Sequence, residues 1–275
     1  MYEFETPGSV SLEIKLQSGR VVITTGDEAR TSVELASVGR RARDPSEDIV
    51  VTTDDHGDRH VIRVEQKDRL RWGPIQIARG GGIEVRVTCP SGTNLDLAGG
   101  STELRASGEF GEVGVRSVSG DVRLGDVRRR LQVKTASGDV AVGTISGEAS
   151  TVTVSGDIAV ARVEGALTGR AVSGNVSIDS LRAPLHLSTT SGDIAVRSVE
   201  GGEVRAQTVS GDVRVGVARG TRVWIDATSV SGDLGSELGL EGDESPEGTT
   251  PVVPLHVKTV SGDVAIVRAA ETVSA

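Results

Sequence analysis

A single cysteine, Cys89, stands in 275 residues. No internal disulfide can form, so nothing calls for an oxidising compartment. Aromatic residues are almost as scarce, at 2%. Large rings cannot fill the interior, and Val, Ile, Leu, Ala and Thr must, which suits thin, layered packing. No run approaches the 18 apolar residues that a membrane-crossing helix needs. The opening MYEFETPGSVSLEIKL has neither a basic start nor an apolar run before a cleavage site, and the closing AAETVSA carries no lipidation signal. A cytoplasmic location without membrane insertion is the expectation. Basic residues number 30 against 39 acidic ones, a formal charge of −9, which disfavours nucleic acid as a partner. No window keeps a 3.6-residue apolar period, so helices should be scarce.

What the chain has in quantity is Ser-Gly-Asp. The tripeptide starts at Ser119, Ser137, Ser155, Ser173 (as Ser-Gly-Asn), Ser191, Ser210, Ser231 and Ser261, in steps of 18, 18, 18, 18, 19, 21 and 30 residues. Counting each Ser as position one, position four is Val122, Val140, Ile158, Val176, Ile194, Val213, Leu234 and Val264. Position six is aliphatic in seven copies (Leu124, Val142, Val160, Ile178, Val196, Val215 and Ile266), as are position nine (Val127, Ile145, Val163, Leu181, Val199) and position thirteen (Leu131, Ala149, Leu167, Leu185) in the regular ones. Alternate residues of a strand share a face. Each repeat therefore holds two short strands, with one corner at Ser-Gly and a second near position ten. Repeats in constant register stack as parallel rungs, each pairing with its equivalent one rung on. The expected fold is all-β, a parallel β-helix (β-solenoid) of about 18-residue rungs.

One domain over 1–275 is expected, because successive rungs share a core. Residues 1–100 read as longer alternating strands with degenerate early rungs, including an isolated copy at Ser18-Gly19-Arg20 and a turn at 54–58. They should cap the first rung. Regular rungs fill 101–235. Residues 236–275 add C-terminal rungs and an acidic, Pro/Gly-bearing loop at 240–248, read as a second cap.

The tripeptide column would stack Gly120, Asp121, Gly138, Asp139, Gly156, Asp157, Gly174, Asn175, Gly192, Asp193, Gly211 and Asp212 along one edge. A carboxylate ladder suggests Ca²⁺. Turn chemistry explains it better: Gly supplies a positive-φ corner, Asp or Asn and Ser bond nearby backbone, and Asn175 substitutes without loss of register. His56 and His60 with Asp54, Asp55 and Asp58 lie on the presumed turn, where polar residues are ordinary. His186 and His256 are isolated in sequence and fall on strands. Cys89 has no base partner. Gly80-Gly81-Gly82 precedes a strand and lacks a dinucleotide-binding context. No catalytic, cofactor or metal site is expected.

Position five points outward between the inward four and six. It reads Arg123, Ala141, Ala159, Ser177, Ala195 and Arg214, a flat small-residue face rimmed by arginine. Such a face is a candidate surface for a protein partner or for self-association. Positions fourteen and sixteen are mostly polar and read as solvated.

The copies SVSGDV, TASGDV, TVSGDI, AVSGNV and TTSGDI resemble those of the bacterial putative-adhesin family of β-strand-repeat proteins, a domain of unknown function. IEVRVTCPSGTNLDL is similar to the segment that introduces its repeats. GTRVWIDATSVSGDL, the acidic loop and VKTVSGDVAI are similar to the ending of an actinobacterial branch. The resemblance implies a β-helix without established catalytic residues, and its name implies surface adhesion or an envelope role. Taken together, the sequence favours a non-enzymatic scaffold or binding module. A surface adhesin or envelope stress protein is the first alternative. A polysaccharide-acting β-helix enzyme is the second, although Tyr2, Phe4, Trp72, Phe110 and Trp224 are scattered along the chain.

Overall fold

A computed structural model describes residues 1–38, 47–67, 82–238 and 252–270. The acidic loop at 240–248, Trp72, Gly80 and Gly81 lie outside the described residues, as does the side chain of His56. The chain is all-β, wound as a β-solenoid, with no α-helix among the described residues. None of those residues forms a helix long and apolar enough to cross a membrane. Two compact units divide it, 1–138 and 139–275.

The first unit contains β1 (Tyr2–Glu5), β2 (Ser9–Gly26), β3 (Arg30–Val38), β4 (Ile49–His56), β5 (Arg59–Gln66), β6 (Gly82–Pro90), β7 (Thr93–Ser119) and β8 (Val122–Ser137). Its axis is β2–β7–β8, paired in parallel. Ser18 stacks on Ser101 and Val21 on Leu104, so the isolated early copy is a true rung displaced by some 80 residues of chain. On its other side β2 meets β5 and β6. Antiparallel partners follow outward: β4 on β5, β3 on β6 and β1 on β3. These flanking strands give the backbone edge of the β2 rung its hydrogen-bond partners, the protection an end rung needs.

The second unit contains β9 (Val140–Ile145), β10 (Glu148–Ser155), β11 (Ile158–Val163), β12 (Leu167–Ser173), β13 (Val176–Leu181), β14 (Leu185–Ser191), β15 (Ile194–Val199), β16 (Val204–Gln207), β17 (Val213–Val217), β18 (Arg222–Ser231), β19 (Leu234–Ser236), β20 (Val252–Ser261) and β21 (Val264–Arg268). One wall is β9–β11–β13–β15–β17 and another β10–β12–β14–β16, parallel throughout. Ile158, Val176, Ile194 and Val213 form one fully buried column, and Leu167, Leu185 and Val204 another. Each such side chain contributes roughly 1.5–3 kcal/mol by leaving water. Between them runs an inward column of Thr153, Ala171, Thr189 and Thr208, small enough for a narrow coil.

The C-terminal rungs depart from sequential stacking. β16 pairs with β20 and β17 with β21, while β18 and β19 lie on the far side of β20 and β21. The rung of 252–268 is thus inserted between those of 204–217 and 222–236. The swap preserves the hydrophobic register, because Ile225 and Leu255 both match Val204. Either strand satisfies the same inward pattern.

Candidate interaction surfaces

The corner column sets the spacing of everything beside it. In the second unit Gly156, Gly174, Gly192, Gly211 and Gly262 hold φ between 139° and 150°. Their amides donate across the rungs, as from Gly174 to the Ser191 carbonyl at 3.0 Å. The next residue completes the ladder through its side chain. Asp139 Oδ1 accepts from the Asp157 amide at 3.0 Å, Asp157 Oδ1 from Asn175 at 2.8 Å, and Asn175 Oδ1 from Asp193 at 2.9 Å. Asp193, Asp212 and Asp263 continue the series to the outermost rung. The contact needs an acceptor oxygen and no charge, which is why asparagine serves as well as aspartate. In the first unit Gly120 and Gly138 have the same positive φ, and Asp121 meets Arg123 at 3.2 Å.

Position five forms a column by register: Ala141, Ala159, Ser177, Ala195, Arg214 and then Ala265. The alanines and Ser177 are half-buried and Arg214 is exposed. Arg214 therefore interrupts the column rather than ending it. Arg123 belongs to the first unit, where it pairs with Arg105 and contacts Glu103.

A second outer column lies at position eighteen, beyond the outward positions singled out from the repeat. The residue before each Ser also points outward. In stacking order the second unit presents Val154, Val172, Thr190, Val209, Val260 and Val230, with the valines 48–76% exposed. Rungs repeat at about 4.8 Å, so these six residues make an apolar stripe of roughly 24 Å. The alternation that buries Thr153 and Thr189 is the signal that would have found it.

The turn expected at 54–58 is confined to Gly57 and Asp58, and Asp55 and His60 face each other on the paired strands β4 and β5. His60 is buried, with Nδ1 2.7 Å from Asp55 Oδ1 and Nε2 3.0 Å from the Pro7 carbonyl. The Asp55 hydrogen bond raises its pKa above the usual histidine value against the opposing effect of burial, and the Pro7 carbonyl adds to the rise. A raised folded-state pKa stabilises fully below about 6.5 and is lost as pH climbs through the folded value. The urea midpoint of wild type should therefore exceed that of Asp55→Asn most at pH 5.5–6.5, with the gap narrowing towards pH 9. A gap that widens with pH would contradict this assignment. Burial pushes the Cys89 thiol up to about 11 despite a Thr93 hydrogen bond, so it is protonated and unreactive at neutral pH. Among the described residues no three His, Cys, Asp or Glu converge as metal ligands.

His256, isolated in sequence, is not isolated in space: it pairs with Arg205 on one side and Asp226 on the other, and Arg205 reaches His186 at 3.3 Å.

The profile of the Toastrack DUF4097 domain matches residues 10–267. The chain belongs to that family. Toastrack DUF4097 proteins are defined by sequence without an assigned function, and no curated protein matches this chain significantly. Three solved structures are similar to it over most of their length. A putative adhesin from Bacteroides fragilis shares 13% identity, covering 96% of this chain and 95% of its own, with a TM-score of 0.43. A putative lipid binding protein from Parabacteroides distasonis shares 14% over 96% and 95%, with a TM-score of 0.40. A putative cell adhesion protein from Clostridium sporogenes shares 11% over 96% and 93%, with a TM-score of 0.22.

Proposed function

We propose that this Toastrack DUF4097 chain is a non-enzymatic binding scaffold whose flat outer faces receive a protein partner or a second copy of itself. The exposed valine stripe carries the reading. Five aliphatic side chains left in water in a single line are an apolar surface of the kind that marks a contact site. The half-buried alanine column offers a second flat face without bulky side chains to obstruct approach. Rungs held by backbone and aspartate ladders keep both faces rigid, which limits the ordering entropy lost on binding.

The test is sedimentation velocity over a hundredfold concentration range, together with chemical crosslinking in native extract. Val172→Lys and Ala159→Arg both place a cation on an outer face and should leave the circular dichroism unchanged. Loss of association in Val172→Lys assigns the contact to the stripe, and loss in Ala159→Arg assigns it to the alanine column. If both variants sediment and crosslink like wild type, neither face is a binding surface.

A further inference from the structure

The outer wall of the last three rungs is unlike the rest of the second unit. Register places Trp224 beside Pro254 and Asp226 beside His256, and on the next rung Arg205 beside His256. Glu203 precedes Val204, the partner of Leu255, and so stands in line with Pro254 and Trp224. Trp224 is 54% exposed. Its ring lies 5.3 Å from that of His256 at 68°. His256 Nδ1 is 3.3 Å from Asp226 Oδ2, and Nε2 is 3.5 Å from Glu203 Oε1. Arg205 meets the same Glu203 oxygen at 2.6 Å. Lys258 and Thr228 flank the patch and are exposed.

Three properties of this patch select a ligand class. An indole in water offers a planar apolar face, which is best covered by another flat apolar face. Around it, carboxylate, imidazole, guanidinium, ammonium and hydroxyl groups supply both donors and acceptors. Glu203 and Asp226 are offset by Arg205 and Lys258, with Arg222 on the same face of β18 two residues before Trp224, so both signs are interspersed and no cluster of one sign selects a highly charged ligand. A neutral ligand with one apolar ring face and a rim of hydroxyls meets all three demands, and a pyranose has that chemistry. We propose that Trp224, with Glu203, Asp226, His256 and Arg205, forms a saccharide-binding subsite on the outer wall. The inference rests on the scaffold reading and names a ligand for a patch beside the outer end of the valine stripe, on the same strands β18 and β20 that carry Val230 and Val260, and on other strands than the alanine column. Side chains fixed by the Arg205–Glu203–His256–Asp226 chain need little reordering to bind. The wall is open, so affinity should be on the order of millimolar, as for sites that do not enclose their ligand.

The chain has two tryptophans, Trp72 and Trp224. Their indole N–H signals in a ¹H–¹⁵N spectrum report directly, with Trp224→Phe giving the assignment. Titration with cellotetraose and with tetra-N-acetylchitotetraose should shift the Trp224 signal saturably with at least one of them. Trp224→Ala and His256→Ala, both at surface positions, should weaken binding at least tenfold as measured by calorimetry. Tetramethylammonium chloride and sodium phosphate should leave the signal in place. No shift with either oligosaccharide, an equal shift with the cation, or undiminished binding in Trp224→Ala would each overturn the proposal. Cleavage of a bound oligosaccharide would uphold the subsite while refuting the non-enzymatic scaffold. Binding retained in Val172→Lys and Ala159→Arg would support a site independent of those faces.

Discussion

Gly192→Ala is expected to unfold the second unit. Gly192 holds φ at 146°, a region that residues with a Cβ rarely enter. That conformation alone costs about 1–3 kcal/mol. The larger effect is crowding. A Cβ at this position would be driven into the Gly174 carbonyl oxygen and would sit 2.7 Å from the carbonyl carbon. Both are backbone atoms and cannot swing aside. Relief requires moving rung from rung, which breaks the Gly174–Ser191 and Asn175–Asp193 hydrogen bonds together. Against a typical domain stability of roughly 5–15 kcal/mol, the sum leaves little or no native population at 25 °C. Gly57→Asn separates strain from crowding. Gly57 has φ of 64° and nothing within 4 Å of an added Cβ, and asparagine tolerates that region. It should lower the urea midpoint only slightly. A cooperative, near-wild-type urea transition for Gly192→Ala would show that the corners do not need glycine.

Leu187→Ala is the second large effect. Leu187 is 2% exposed and stacks between Gly169 and Ala206. A Cβ built on Gly169 would lie 2.7 Å from Leu187 Cδ2, so the leucine fills the room that the glycine leaves. With small residues above and below, the space cannot collapse. Loss of the isobutyl group should fall in the upper half of the ~2–5 kcal/mol range for such truncations. Adding Gly169→Ala to Leu187→Ala should restore part of the loss by returning a methyl group to the hole. Urea unfolding of the two variants and the pair decides the matter. A cost under about 1 kcal/mol, or no recovery in the pair, would mean that the layers relax more freely than the packing implies.

The rungs were legible because an 18-residue period fixes which residues coincide, and alternation then separates inside from outside. The columns headed by Ile158 and Leu167 follow from those two facts alone. The strand pair around 54–58 was legible from its turn residues. Stacking order near the C-terminus was not. Ile225 and Leu255 carry the same inward pattern, so nothing in the residues says which lies against Val204. The continuity of β2 through its corner was also hidden: Gly19 holds a positive φ of 141° like the other corners, yet parallel pairing with β7 runs on through Ser18, Gly19 and Arg20. The cluster around His256 had no local signal at all. Its members come from three segments, and only the rung order brings Glu203, His256 and Asp226 to one wall.

That order constrains how the second unit is made. Synthesis delivers 222–236 before 252–268, yet the earlier segment has its place only on top of the later one. Until the last strands emerge, Arg222–Ser236 has no native neighbour to pair with, and its chief nearby template is the edge of β16 and β17. Stacking there first would be a register-matched mistake, to be undone when β20 and β21 arrive. A ribosome stalled between these segments should therefore hold a nascent chain with a misplaced final coil, and release of the remaining residues should be followed by a slow exchange of one layer for another.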